Sequence, residues 1–195
     1  MPRTDRSSER RSEFVPILAR AFSELGFRRA TTAELARRCD VQENILYRLW
    51  PDKRAMFIAA IEYVYDLSVA KWEQLLAGDG DASGKSAAER VLDYESEHHG
   101  EFGLYRIVFA GLTETDDEQI RDALRRMYGR YQAFVERRVG EHRGGDRDGA
   151  DIAAWAIIGL GTVTSIARDL GLLDAGDRQR LWQEMGRVLL DEGEK

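Results

Sequence analysis

Residues 31–50 read TTAELARRCDVQENILYRLW, and this stretch decides how the whole chain is interpreted. Thr31 is followed three residues later by Glu34, which is the spacing of a capping box at the start of a helix. The pattern predicts a short helix ending near Cys39, a brief turn, and a second short helix over about 43–49. Two short helices joined by a tight turn are typical of a helix-turn-helix.

The second of these helices is amphipathic. Ile45, Leu46 and Leu49 form an apolar side, which predicts packing against a core. The other side carries polar groups: Glu43, Asn44, Tyr47 and Arg48. In a helix-turn-helix the second helix enters the major groove of DNA, so it needs an apolar face for the core and a polar face for the base edges.

Apolar periodicity predicts helices on both sides of this motif. One helix covers Phe14 to Leu25 and ends at Gly26, and a long helix runs from Lys53 to about Ala77. Five further helices follow over about 86–99, 102–112, 117–142, 149–171 and 177–191. With no convincing strand, the chain is predicted to be all-α, with about nine helices.

This arrangement predicts a three-helix N-terminal domain over 1–55, joined by the long helix to a larger helical domain over 56–195. The chain has a net charge of −6, but its two parts differ. Residues 1–55 carry 12 Lys and Arg against 8 Asp and Glu, whereas 56–195 carry 17 against 27. Because like charges repel, only the basic N-terminal domain is suited to approach a phosphate backbone.

Three further features bear on the cellular compartment. The one cysteine, Cys39, can form no disulfide within the chain, which fits a reducing environment. The charged N-terminus has no apolar run behind it, so no secretory signal is predicted. The uncharged stretch from Ile152 to Ala167 is shorter than the ~20 residues that span a bilayer, which favours a buried helix. We therefore expect a cytoplasmic protein that does not enter the membrane.

The segment from Ile17 to about Phe57 resembles the TetR/AcrR family of bacterial transcriptional regulators. The resemblance rests on ILARAF at 17–22, GF at 26–27, Thr31, LA at 35–36, Val41, LY at 46–47, Trp50 and Lys53. It implies a repressor that binds a palindromic operator on double-stranded DNA as a homodimer. It also implies that a small-molecule effector binds the C-terminal domain and releases the DNA. Activation of transcription is an alternative within the same class.

The resemblance also implies roles for individual side chains. Thr31, Tyr47 and Lys53 match positions that contact DNA phosphates, and Arg28, just before the motif, could reach the backbone. The positions that match the base-reading face are Gln42, Glu43, Asn44 and Arg48. By donor and acceptor geometry, Asn44 suits adenine, Arg48 suits guanine, and Glu43 could accept from cytosine N4.

The sequence departs from the family pattern at four positions. Asp40 replaces the usual glycine of the turn, and aspartate tolerates the left-handed conformation better than most residues. Gln42 replaces a serine that would cap the helix, and Trp50 replaces a phenylalanine. Glu43 places a negative charge on the DNA side, which weakens binding unless the carboxylate pairs with a base or an arginine.

The C-terminal domain matches no family motif, and we expect most of its many aromatic residues in the core. The resemblance implies that its helices also enclose a mostly apolar pocket for the effector. The candidate lining residues are Tyr94, His98, Phe102, Tyr105, Phe109, Met127, Tyr131 and Trp155.

The last two helices are predicted to form the dimer interface. Small residues would permit close helix approach: Ala150, Ala153, Ala154, Gly159, Gly161 and Ala167. Larger residues would add apolar area: Trp155, Ile158, Val163 and Ile166.

Two rival functions remain open. An enzyme is disfavoured because the sequence has no nucleophile elbow, phosphate loop or paired acid–base motif, and no cofactor is predicted. His98 and His99 lie near Glu95, but adjacent histidines point about 100° apart on a helix and no third ligand is evident. No metal site is therefore predicted. The other rival is a helical small-molecule-binding or adaptor protein whose DNA binding is weak or lost.

Overall fold

A computed structural model describes residues 6–77, 84–100 and 103–191 of the chain. These residues form helices and no strand, which confirms the predicted all-α class. The helices are α1 (Arg6–Arg29), α2 (Thr32–Arg38), α3 (Glu43–Leu49), α4 (Lys53–Leu76), α5 (Ala87–His98), α6 (Arg106–Leu112), α7 (Glu118–His142), α8 (Ala150–Asp169) and α9 (Ala175–Asp191).

The main differences from the predicted boundaries are at the start of two helices. Helix α1 begins at Arg6 rather than at Phe14. The extra residues are almost all exposed, and their arginines and glutamates favour helix without burying any apolar surface. Helix α6 begins at Arg106 rather than at 102, because Gly103 adopts a φ of 64°, which is incompatible with a helix.

Turn residues set the limits of the N-terminal helices. Gly26 has a φ of 74° and interrupts α1 near its end, at the position where the sequence predicts a stop. Asp40, between α2 and α3, has a φ of 53°, which is the left-handed conformation expected of the residue that replaces glycine there. Asp52 accepts a hydrogen bond from the backbone N–H of Ala55 at 2.7 Å and so caps the start of α4.

The described residues divide into two compact units. The first unit contains residues 6–67 and 103–127, and the second contains 68–77, 84–100 and 128–191. Helices α4 and α7 therefore each contribute residues to both units. The domain boundary between residues 55 and 56 follows the helix-turn-helix motif, and it stays a prediction.

The first unit is organised around α1, which packs against α2, α3 and α6. Phe22 of α1 and Phe57 of α4 pack edge to face, with ring centroids 4.9 Å apart. Other side chains with almost no exposed surface complete this core: Leu18, Leu35, Leu46, Met56, Ile61, Ile107 and Ile120. Burial also raises the pKa of the Cys39 thiol to about 11, so this group is a neutral core side chain at physiological pH.

The second unit depends on close packing of α9 against α5 and α8. A Cβ atom added at Gly186 of α9 would lie 2.2 Å from Cδ2 of Leu92 on α5, so this approach requires glycine. The buried cluster around this contact contains Ala88, Leu92, Val139, Ala150, Ala153, Trp182 and Leu190.

The small residues of α8 point into the second unit. Those buried within the chain are Ala150, Ala153, Ala154, Gly161 and Ala167. The expectation that they line a dimer interface is therefore wrong for these five, because they pack against the chain's own core. Gly159 differs from them, since it is exposed. By length and composition α8 could cross a membrane, but core helices of soluble proteins pass the same test.

Candidate nucleic-acid interface

Helix α3 has the two faces that the sequence predicts. Leu46 and Leu49 are buried at 0% and 5% exposure, and they join α3 to the core of the first unit. The exposed side carries Gln42, Glu43, Asn44, Tyr47 and Arg48. Because the apolar side is buried, the polar side is held outward on a rigid support, which is the arrangement that reading of base edges requires.

Tyr47 links α3 to α2 while leaving much of its surface in solvent. Its hydroxyl lies 3.1 Å from Oγ1 of Thr32, and the residue is 48% exposed. This contact orients the phenol along the outer edge of the motif. The hydroxyl can both donate and accept, so it can donate a hydrogen bond to a phosphate oxygen while it accepts one from Thr32.

Thr31 caps α2, but only half of the predicted capping box forms. Its Oγ1 accepts a hydrogen bond from the backbone N–H of Glu34 at 3.2 Å. The Glu34 carboxylate accepts from the guanidinium groups of Arg37, at 2.7 Å, and Arg38, at 2.9 Å. These two arginines lower the pKa of Glu34 to about 2. They also hold the carboxylate away from the Thr31 N–H that a full box would use.

Lys53 and Arg28 both have partners within the first unit. The Lys53 ammonium donates to the carbonyl of Phe27 at 2.9 Å and lies 4.4 Å from the centre of that ring. The Arg28 guanidinium forms an ion pair with Glu114 at 2.8 Å, although its side chain is 76% exposed. Both side chains can still contribute to a positive surface, but Arg28 shares its charge with Glu114 and Lys53 is hydrogen-bonded to a backbone carbonyl.

A groove lies between α1 and α3 that the sequence did not predict. Its volume is about 520 Å³, and it is lined by Arg6, Ser7, Glu9, Arg10, Glu13, Ile45, Arg48 and Leu49. Arg11 fixes the two helices together by donating to the carbonyl of Leu49 at 2.9 Å. The run of arginines at the start of the chain was the available signal. These arginines lie beside α3 because α1 extends back to Arg6, beyond the apolar residues that predicted the helix.

Predicted effector-binding residues of the first unit lie on α6 and α7 or just before them. The rings of Tyr105 and Phe109 meet edge to face with centroids 6.2 Å apart, and Met127 is buried at 3% exposure. Phe102 lies outside the described residues. The proposed contact of these side chains with an effector stays a prediction.

Predicted effector-binding residues of the second unit have distinct surroundings. Tyr94 stacks on His98 with ring centroids 4.4 Å apart, and the Tyr131 hydroxyl donates to Oγ of Ser68 at 3.0 Å. Trp155 is 50% exposed and faces outward on α8, stacked on Tyr128. A role for these residues in binding an effector likewise stays a prediction.

The histidines near the end of α5 hydrogen-bond to protein groups. His98 Nδ1 lies 3.0 Å from the carbonyl of Tyr94, and His99 Nδ1 lies 2.6 Å from Oε2 of Glu95. Among the described residues, no group of three or more His, Cys, Asp or Glu side chains is placed to hold a metal ion.

The chain is similar to known proteins in both sequence and structure. Residues 18–60 match the family model for bacterial regulatory proteins of the tetR family. The nucleoid occlusion factor SlmA of Vibrio atlanticus (strain LGP32) is 26% identical over 141 residues, covering 71% of this chain and 70% of that protein. SlmA of Aliivibrio fischeri (strain MJ11) is 28% identical over 161 residues, covering 79% and 81%.

Solved structures extend the likeness in fold to nearly the whole chain. A putative TetR-family transcriptional regulator from Rhodococcus sp. superposes with a TM-score of 0.75 at 18% identity, covering 94% of this chain and 100% of that one. The TetR-family regulator from Cytophaga hutchinsonii gives 0.75 at 15% identity, covering 95% of each chain. The family match falls on the helices that present the polar face of α3. The chain thus contains the segment described by the model for bacterial regulatory proteins of the tetR family, within a fold similar to that of TetR-family transcriptional regulators.

Proposed function

We propose that this protein is a repressor that binds a palindromic operator as a dimer and dissociates from it when a small-molecule effector binds. The observation that carries the proposal is the face of α3, where Gln42, Glu43, Asn44 and Arg48 are exposed on a helix whose other side is buried. Such a face has little role in folding, and it carries the donors and acceptors that recognise base edges in the major groove.

In this proposal, some side chains on and around α3 contact the bases and others contact the phosphates. Asn44 pairs with adenine and Arg48 with guanine, because each offers the matching bidentate geometry. Tyr47 and the N-terminal region of α2 contact phosphates. Arg6 and Arg10, which line the groove beside Arg48, add positive charge where α1 meets α3.

A second copy of the chain is the proposed partner of α8. Its outward side carries large apolar side chains at intervals of three, four or eight residues: Ile152, Trp155, Val163, Ile166 and Leu170. Helix α9 adds Met185 and Val188, which are also exposed. An apolar stripe of this kind on two neighbouring helices fits a symmetric interface in which each stripe packs against its copy.

The dimer gives a physical basis for operator recognition and release. Two copies of α3 can read equivalent half-sites when they are about one turn of DNA apart, ~34 Å. An effector releases the operator only if it binds more tightly to a conformation in which that spacing no longer fits. Because its target is chromosomal DNA, the protein is proposed to act in the cytoplasm.

The test is a fluorescence anisotropy titration with duplex DNA that flanks the protein's own gene, at two salt concentrations. Wild-type binding should weaken steeply with salt, because phosphate contacts release counterions. Arg48→Ala should weaken binding by about tenfold or more, which corresponds to the loss of one base contact. Lys53→Ala should reduce both the affinity and the dependence on salt.

Arg180→Ala is the matched control for these two variants, because it removes an exposed arginine of α9 in the second unit. Its operator affinity should equal that of the wild type. Absence of binding at low salt, or equal losses in Arg48→Ala and Arg180→Ala, would contradict the proposal. Either result would favour the adaptor function.

A further inference from the structure

A cavity of about 200 Å³ lies within the second unit, between the end of α5 and helices α8 and α9. The lining side chains used below are His99, Thr164, Arg168, Arg178, Gln179 and Trp182. None of the eight predicted effector-binding residues lines it. Its volume is below the roughly 300–1,000 Å³ typical of sites for drug-sized ligands, so any occupant is small.

One wall of the cavity is aromatic and rigid. Trp182 is buried at 4% exposure, and its indole N–H donates to Oγ1 of Thr164 at 3.1 Å. The His99 ring packs against the indole with centroids 5.1 Å apart. Because the polar atom of Trp182 already has a partner, the surface it offers to the cavity is the apolar part of its ring.

His99 is held in a single orientation by partners on both of its nitrogens. Nδ1 faces the Glu95 carboxylate at 2.6 Å, and Nε2 faces the carbonyl of Gly161 at 2.9 Å. Oγ of Ser165, 3.1 Å from Nε2, is a further partner of that nitrogen. Glu95 itself does not line the cavity, so the charge of the cavity depends on the residues that do.

Two arginines supply that charge. Arg168 donates through one terminal nitrogen to the carbonyl of His99 at 2.9 Å, and Arg178 donates to the carbonyl of Leu173 at 2.8 Å. Each of these bonds uses one of the five guanidinium N–H groups and fixes the position of the side chain. Within the described part of the chain, neither arginine forms an ion pair with a carboxylate.

The cavity therefore has a positive excess. Its one lining carboxylate belongs to Glu97, which is exposed and accepts from the side-chain amide of Gln179 at 3.4 Å. Two oriented guanidinium groups beside an aromatic wall match a carboxylate attached to a small apolar body, because arginine donates to carboxylate oxygens in a planar, bidentate manner.

We infer that this cavity binds a small organic carboxylate. Its oxygens accept hydrogen bonds from Arg168 and Arg178, and its apolar part lies against Trp182. This binding does not depend on the proposed repressor function. If the bound carboxylate is also the effector, that further step rests on the proposed function.

Isothermal titration calorimetry on the full-length protein in the absence of DNA tests the inference. The probes are butyrate, benzoate, phenylacetate and glutarate, and each is compared with its neutral amide. The carboxylates that fit the cavity should bind saturably and raise the melting temperature, while the amides should not. Arg178→Gln and Arg168→Gln should each weaken binding by about ten- to a hundredfold.

Arg180→Gln is the matched control, because Arg180 lies on the same helix but pairs with Asp177 outside the cavity. It should bind the carboxylates as the wild type does. Circular dichroism establishes that each variant is folded, and Arg178→Lys, which keeps the charge, should recover part of the affinity. The inference is overturned if none of the four carboxylates binds. It is also overturned if the amides bind equally well, or if Arg180→Gln weakens binding as much as Arg178→Gln.

Discussion

Helices α3 and α8 both turn one side to solvent, and the chemistry of those two sides is opposite. Helix α3 exposes polar and charged groups at Glu43, Asn44 and Arg48. Helix α8 exposes apolar groups, of which Ile152 at 68% and Val163 at 56% are clear examples. Core packing accounts for neither surface, because both lie on the outside of their units.

The difference shows what each surface needs. The polar side of α3 is well solvated, so it can remain exposed and exchange its water for the donors and acceptors of another polar molecule. The apolar side of α8 gains roughly 25 cal/mol for each Å² removed from water, which favours a protein partner. In one chain, the chemistry of an exposed helix face therefore distinguishes the proposed nucleic-acid surface from the proposed subunit surface.

The largest expected effect is on dimerisation, through the exposed apolar stripe of α8. Val163→Glu would place a carboxylate in the centre of the proposed dimer contact, where an unpaired charge is costly to bury. We expect the dissociation constant of the dimer to rise by about a hundredfold or more, as measured by sedimentation velocity. Operator affinity should fall with it, because a monomer contacts one half-site.

Ala133→Glu is the control for this variant, since it adds the same charge at an exposed position of α7 in the second unit. It should leave the dimer intact. An unchanged dimer in Val163→Glu would show that the stripe is not the subunit contact, and the contrast between α3 and α8 would lose its explanation.

The next largest effect concerns the packing of α9 against α5 inside the second unit. Gly186→Ala would place a methyl group within 2.2 Å of Cδ2 of Leu92, so the leucine must leave its buried position. We expect the free energy of unfolding, measured in urea, to fall by about 1–3 kcal/mol. Gly129→Ala on α7 has open space around it and should raise stability by up to about 1 kcal/mol. Equal stability of the two variants would contradict the close packing of α9 on α5.

Local chemistry explains why the N-terminal helices were predictable. Gly26, Thr31 and Asp40 each act on neighbouring residues, through a positive φ or a cap, so the sequence alone indicates where α1, α2 and α3 end. The polar face of α3 was predictable for the same reason, because Leu46 and Leu49 share one side of a helix of known length. What the sequence could not show was the position of Arg10 beside Arg48, which depends on the packing of α1 against α3.

Long-range packing explains why the second unit was harder to interpret. The small residues of α8 could serve an internal contact or a subunit contact, and composition does not distinguish the two. Gly161 is buried because His99, 62 residues away along the chain, lies 3.0 Å from where its Cβ would be. The cavity beside Arg168 and Arg178 likewise combines α5, α8 and α9, so no local spacing indicates it.

A smaller effect is expected from the negative charge on α3. Glu43→Gln removes a carboxylate that faces the DNA in the proposed complex, and affinity for duplex DNA should rise by about two- to fivefold at low salt. The same anisotropy assay measures it, with the exposed Glu184→Gln on α9 as control. If Glu43 instead accepts from a cytosine, the variant would bind its operator more weakly while binding to random DNA improves. An unchanged affinity for both DNAs would show that Glu43 does not face the duplex.

The smallest effect concerns Arg37 and Arg38 of α2, the helix that precedes α3 in the helix-turn-helix. Hydrogen bonds from Arg37 and Arg38 lower the pKa of Glu34 from 4.5 to about 2, so the folded protein favours the ionised carboxylate. These hydrogen bonds stabilise the folded state at pH values above the unfolded pKa of Glu34. The stabilisation is lost as the pH falls from about 4.5 through 2. Titration of the Glu34 carboxyl carbon by NMR should show this low midpoint, and Arg37→Gln should raise it.

The same titration in the DNA complex distinguishes two states of these arginines. If Arg37 and Arg38 stay on Glu34, the low midpoint persists and α3 alone supplies the reading face. If either arginine turns to a phosphate, Glu34 loses a hydrogen bond and its pKa rises toward 4.5. A normal midpoint in the free protein would instead show that the two arginines are not held by Glu34. Arg37 and Arg38 would then add to the positive surface that α3 presents.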